Sequence, residues 1–125
     1  MGYDLIGTKP ANKKGIYFRN NIWWWHHLAE FVLNHVELPK KETQYWHSNN
    51  GQKVRKASAD KIAKFLFAAC KNTRKYSRWK KDYFVAADKM LAAMKFPIEG
   101  EKYWAWKNVK DFATFCKHSG GFRIC

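Results

Sequence analysis

Ile22, Trp25, Leu28, Ala29, Val32 and Val36 recur every three or four residues and form an apolar stripe at helical spacing. Asn21 stands just before the stripe, and its side chain suits the unpaired N–H groups of a first helical turn. The spacing predicts a helix over residues 22–36, ended by Pro39. A second stripe, Ile62, Phe65, Leu66, Ala69 and Cys70, predicts a helix over residues 58–71 with Ser58 as its cap. Phe84, Ala87, Leu91 and Met94 predict a third over residues 79–95, stopped by Phe96 and Pro97. Phe112, Phe115 and Cys116 predict a fourth over residues 109–118. Asn108 would cap it, and Ser119, Gly120 and Gly121 would end it.

The intervening stretches are polar or short. Residues 3–7 read as a short strand or extended arm, and residues 9–15, with Pro10, Asn12 and Gly15, as a loop. Residues 40–57 carry Asn50-Gly51, a turn signal at which positive φ is expected. Phe122, Arg123, Ile124 and Cys125 form an extended tail of the right length to pair with residues 3–6. The expectation is one domain over residues 1–125, mainly α. It would be a compact bundle of about four helices whose short extended terminal segments pair, with an α+β arrangement as the alternative.

Composition sharpens this picture. Hydrophobic residues are 46% and aromatic residues 18% of the chain, enough for a packed core and too many for a disordered basic tail. The formal charge is +14, and much of it is local. Thirteen basic residues between positions 40 and 81 face only Glu42 and Asp60. A field of this kind attracts polyanions, although a solvated lysine-rich surface has the same composition. Three cysteines without a CxxC spacing favour a reducing compartment. No basic segment followed by an apolar run opens the chain, and no stretch approaches a membrane span. A cytoplasmic protein without a membrane partner is expected.

The tryptophans Trp23, Trp24 and Trp25 cannot all face one core, because successive helical residues are rotated by about 100°. Trp25 falls on the stripe. Trp23 and Trp24 stand beside Arg19, Asn20 and Asn21, and a second block combines Trp46, His47, Asn49 and Asn50. Together these residues compose a candidate pocket for an anionic, nucleotide-like ligand. Arg19 would grip phosphate or carboxylate, the amides would bond base or sugar edges, a tryptophan would stack, and His47 would add a hydrogen bond. A structural reading competes with it. In that reading Asn21 caps, Arg19 pairs with an acid such as Asp4, and the tryptophans clamp the terminal segments.

A second candidate site interleaves Lys71, Arg74, Lys75, Arg78, Lys80 and Lys81 with Tyr76 and Trp79, a composition suited to phosphates and stacked bases or to an acidic host protein. No GxSxG, HExxH or paired-carboxylate signature is present. The histidines lack zinc spacing, so neither a metal nor a cofactor is expected. Binding without catalysis is the leading expectation. A nucleotide-processing enzyme with His47 as base is the weaker one, because no orienting acid is visible.

Three blocks also carry a resemblance. The first runs from Gly2, Tyr3 and Asp4 through Gly7, Pro10 and Gly15 to Tyr17, Phe18, Arg19, Asn20, Asn21 and the three tryptophans. The second is Trp46 and His47 with Asn49, Asn50 and Gly51. The third is Ser119, Gly120, Gly121 and Phe122 with Ile124 and Cys125. In this combination the chain resembles a family of small bacteriophage and prophage proteins, over nearly its whole length. It departs from that pattern where members often read Asn-Asp-Gly and this chain reads Asn49-Asn50-Gly51, and in being basic where many are acidic. The resemblance implies a phage origin, a host-cytoplasmic setting and no particular reaction. In that setting, a nucleotide-holding pocket would serve to sequester a host defence signal.

Overall fold

In a computed structural model, residues 2–48, 50–71 and 98–125 are described, with Trp23, His27 and residues 98–106 described by backbone alone. Strand β1 (Gly2–Gly7) leads through a 3-10 turn (Lys13–Gly15) to β2 (Tyr17–Asn21) and helix α1 (Ile22–His35). A four-residue helix, α2 (Lys40–Thr43), precedes β3 (Gln52–Arg55), which runs directly into α3 (Lys56–Lys71). Helix α4 (Ile98–Ser119) and strand β4 (Gly121–Ile124) complete the described chain.

The fold is α+β, not the mainly helical bundle that the apolar stripes predict. The four strands form one sheet in the order β2-β1-β4-β3, every pair antiparallel. The terminal segments do pair, with Leu5 opposite Ile124 and Ile6 opposite Arg123. What the stripes miss is that this pair is the centre of a sheet. Both β2 and β3 are rich in polar residues and at most five residues long. The sequence pattern assigns neither segment to a strand, yet each finds an edge of the central pair to bond to.

Burial alternates along the strands, so one face of the sheet is dry and the other wet. Tyr3, Leu5, Asn20, Val54, Phe122 and Ile124 point inward. Trp25, Leu28, Ile62, Leu66, Phe112 and Phe115 from α1, α3 and α4 meet them in one core. Asn21 caps α1 as expected, accepting the Trp24 N–H at 2.9 Å. Two other expected caps do not form. Ser58 lies inside α3, which begins at Lys56, and Asn108 lies inside α4, which begins at Ile98. The stop after α4 is built as its glycines suggest, with Gly120 at φ +69° and Gly121 at φ +99°. The helix expected over residues 79–95 lies outside the described residues.

Candidate functional site

The two aromatic-polar blocks meet, but in the core. Trp24 is 5% exposed, Trp25 is fully buried and Trp46 is 1% exposed. The Trp25 and Trp46 rings stack at 5.7 Å, and the Trp25 indole N–H donates to the Trp46 carbonyl at 2.6 Å. The Trp46 indole N–H in turn donates to the Glu42 carbonyl at 2.7 Å. Each indole keeps the hydrogen bond that a buried ring needs. Asn20 is buried against Asn108 of α4, where the two side-chain amides bond reciprocally at 2.8 Å each way. Asn21 is occupied by its cap. Arg19 donates to the Asp4 carboxylate at 2.8 Å. These residues fasten β2, α1 and α4 together, and burial keeps Asn20, Trp24 and Trp46 from an outside ligand, while Asn21 is exposed with its side-chain oxygen held in the cap. The side chain of Trp23, and Asn49, lie outside what is described. Of the first candidate set, Arg19, Asn21, His47 and Asn50 remain at the surface.

His47 has a partner that sequence reasoning missed. Its Nε2 lies 2.7 Å from a Glu30 carboxylate oxygen, and its ring lies 4.7 Å from that of His26. His26 and Glu30 are four residues apart on α1, a spacing that sets both on one helical face and is the signal that could have found them. The Tyr3 phenol donates to the His47 backbone carbonyl at 2.6 Å, tying the cluster to β1. A carboxylate orienting an imidazole is half of an acid–base device. Among the described residues, His47 makes no side-chain bond to a hydroxyl or thiol nucleophile. No group of three or more His, Cys, Asp or Glu side chains among those residues is arranged to hold a metal ion.

The outer face of the sheet offers more. Strand alternation turns Asp4, Ile6, Tyr17, Arg19, Lys53, Arg55 and Arg123 outward. The register places Tyr17 opposite Ile6, Ile6 opposite Arg123, and Arg123 opposite Lys53. These four make one row across all four strands, about 14 Å from first to last at ordinary strand spacing. Tyr17 is 51% exposed and Ile6 45%. The Tyr17 ring is fixed in place because its hydroxyl donates to the Asp4 carboxylate, which also takes the Arg19 bond. Those bonds, from Tyr17 first and Arg19 next, hold the Asp4 carboxyl below its ordinary pKa.

The outward cations divide into two kinds. Arg19 is neutralised by Asp4, and Arg55 by the buried carboxylate of Glu42 at 3.0 Å. Burial alone would raise the Glu42 pKa, but hydrogen bonds from the Arg55 backbone N–H and guanidinium, and from Ser58, hold it below normal. Lys53 and Arg123 have no acidic partner among the described residues. Arg123 reaches along the face toward the Gly51 turn, where a Cβ would stand 3.4 Å from its Nη2. Neither Tyr17 nor Arg123 belongs to the candidate sets drawn from the sequence, because only strand register puts them beside Lys53.

Of the second candidate set, Lys71 is exposed at the end of α3, while Arg74, Lys75, Arg78, Lys80 and Lys81 lie outside the described residues. No helix among the described residues is long and apolar enough to cross a membrane. Comparison of the chain with protein-family models, with curated proteins and with solved structures finds no match.

Proposed function

We propose that the protein binds single-stranded nucleic acid across the outer face of its sheet, without catalysing a reaction. The observation that carries this reading is the row Tyr17, Ile6, Arg123 and Lys53. It sets an exposed aromatic ring, held by its bond to Asp4, in line with an apolar side chain and two cations that have no acidic partner among the described residues. Unpaired bases stack on aromatic side chains while their phosphates meet lysine and arginine. Duplex bases are stacked on each other and offer no free face to Tyr17. The formal charge of +14 supplies the long-range attraction that brings a polyanion to this surface. On the resemblance to phage proteins, the setting is the cytoplasm of an infected host.

The test is fluorescence anisotropy with a labelled mixed-sequence single strand, repeated over a range of salt. Each phosphate contact on a single strand contributes a slope of about −0.7 in log K against log salt, so Lys53→Ala plus Arg123→Ala should flatten the slope by about 1.4. Tyr17→Ala should weaken binding by about 1–3 kcal/mol if one base stacks there. An unchanged slope in the double variant, or duplex binding as tight as single-strand binding and insensitive to Tyr17→Ala, would overturn the proposal.

A further inference from the structure

A second surface carries charge that the described residues leave uncompensated. A hollow of about 400 Å³ opens between α3 and α4, lined by Asp60, Ala63, Lys64, Phe67, Lys71 and Lys117. Its size is in the range that small-molecule sites occupy. Three ammonium groups border it. The one carboxylate, Asp60, is already bonded to Lys56 at 2.6 Å. Lys64, Lys71 and Lys117 have no acidic partner among the described residues. Lys71 and Lys117 stand in the last turns of α3 and α4, where the helix ends attract cations. Two helix ends together supply roughly one negative charge, so about two positive charges are unopposed among the described residues. Like charges gathered around a concavity repel one another. Such local conflicts with the rest of the fold concentrate at functional sites.

The floor of the hollow is apolar. Ala63 is buried, Phe67 is partly buried, and the Lys117 ammonium lies 5.8 Å from the Phe67 ring centroid. Lys64 and Lys71 are two helical turns apart, about 10 Å along α3, with Lys117 across from them on α4. One small anion cannot satisfy cations so separated. An elongated ligand with several negative charges and a flat apolar part can.

We infer that this hollow is a binding site for a nucleoside polyphosphate, with the phosphates on Lys64, Lys71 and Lys117 and the base against Phe67 and Ala63. The site is separate from the outer face of the sheet and stands or falls independently of nucleic-acid binding. Lysine fits the role as a compact point charge whose flexible stem lets it follow a phosphate chain.

Calorimetric titration of the full chain with ATP, tripolyphosphate and adenosine separates the parts of this inference. ATP should bind about tenfold or more tighter than either fragment, since both the charge and the ring contribute. Lys64→Ala plus Lys117→Ala should weaken ATP by about tenfold or more, and both positions are exposed enough to leave folding intact. Phe67→Ala should bring ATP down toward tripolyphosphate, and its thermal transition reports whether the variant is folded. Lys53→Ala plus Arg123→Ala should bind ATP as the parent does. Three results each overturn the inference: no heat with ATP at about 1 mM, equal binding by the Lys64 and Lys117 variant, or loss of ATP binding in the sheet-face variant.

Discussion

Replacing Asn20 by alanine tests whether the block before the three tryptophans is a fastening or a ligand cradle. Asn20 is 4% exposed and Asn108 5% exposed, and their amides share two hydrogen bonds of 2.8 Å. Asn20 also donates to the Arg19 carbonyl at 2.9 Å. Removing the Asn20 side chain leaves the Asn108 amide buried with its donor and acceptor both unmet. An orphaned buried polar group costs about 1–3 kcal/mol, beyond the modest net value of the lost bonds. In a chain of this size that corresponds to a fall in Tm of roughly 4–12 °C. Asn108→Ala should cost a similar amount for the reciprocal reason. Asn20→Ala plus Asn108→Ala removes both amides and strands neither, so its cost should fall short of the sum by about 1 kcal/mol or more. Urea denaturation of the parent, both single variants and the double variant closes this cycle. Strictly additive losses would falsify the idea of a coupled buried pair. Single variants of parental stability that lose nucleotide binding would restore the ligand reading of Asn20.

Two further substitutions probe other joints of the fold. The buried Glu42 carboxylate has a lowered pKa, so its bonds to Arg55 stabilise the protein above the unfolded value of about 4.3 and are lost as pH falls through the folded pKa. Glu42→Gln should therefore be less stable than the parent at pH near 7, with the difference shrinking under acid; a gap constant with pH in denaturant titrations would refute this. Gly15→Ala should prevent folding, because a Cβ there would lie 1.9 Å from the His118 backbone oxygen and 2.2 Å from its carbon, atoms that cannot swing aside. Circular dichroism of that variant with a parental melting curve would count against the packing described.

Legibility in the sequence followed the range of the forces involved. The α1 stripe, the Asn21 cap and the positive φ of Gly51, Gly120 and Gly121 depend on neighbours a few residues away, and each is built as the sequence suggests. Asn108 carries the same cap signal as Asn21, yet α4 extends ten residues before it, because burial against Asn20 offers its amide a better partner than a helix end. The His47–Glu30 contact joins residues seventeen apart; the four-residue spacing of His26 and Glu30 marks their shared helical face but not that His47 meets it.

The sequence by itself determined where most of the helical segments and turns lie, that the chain has enough apolar surface for a core, and that its surplus charge is positive. Tertiary structure alone decided that the terminal segments centre a four-stranded sheet and that polar β2 and β3 join it. It also decided that two of the tryptophans, Trp24 and Trp25, are core, and that Tyr17, Ile6, Arg123 and Lys53 form one row. The reason is physical. Helices and turns are stabilised by bonds between near neighbours, whereas a strand's bonds and the facing of its side chains are fixed by whichever distant segment lies beside it.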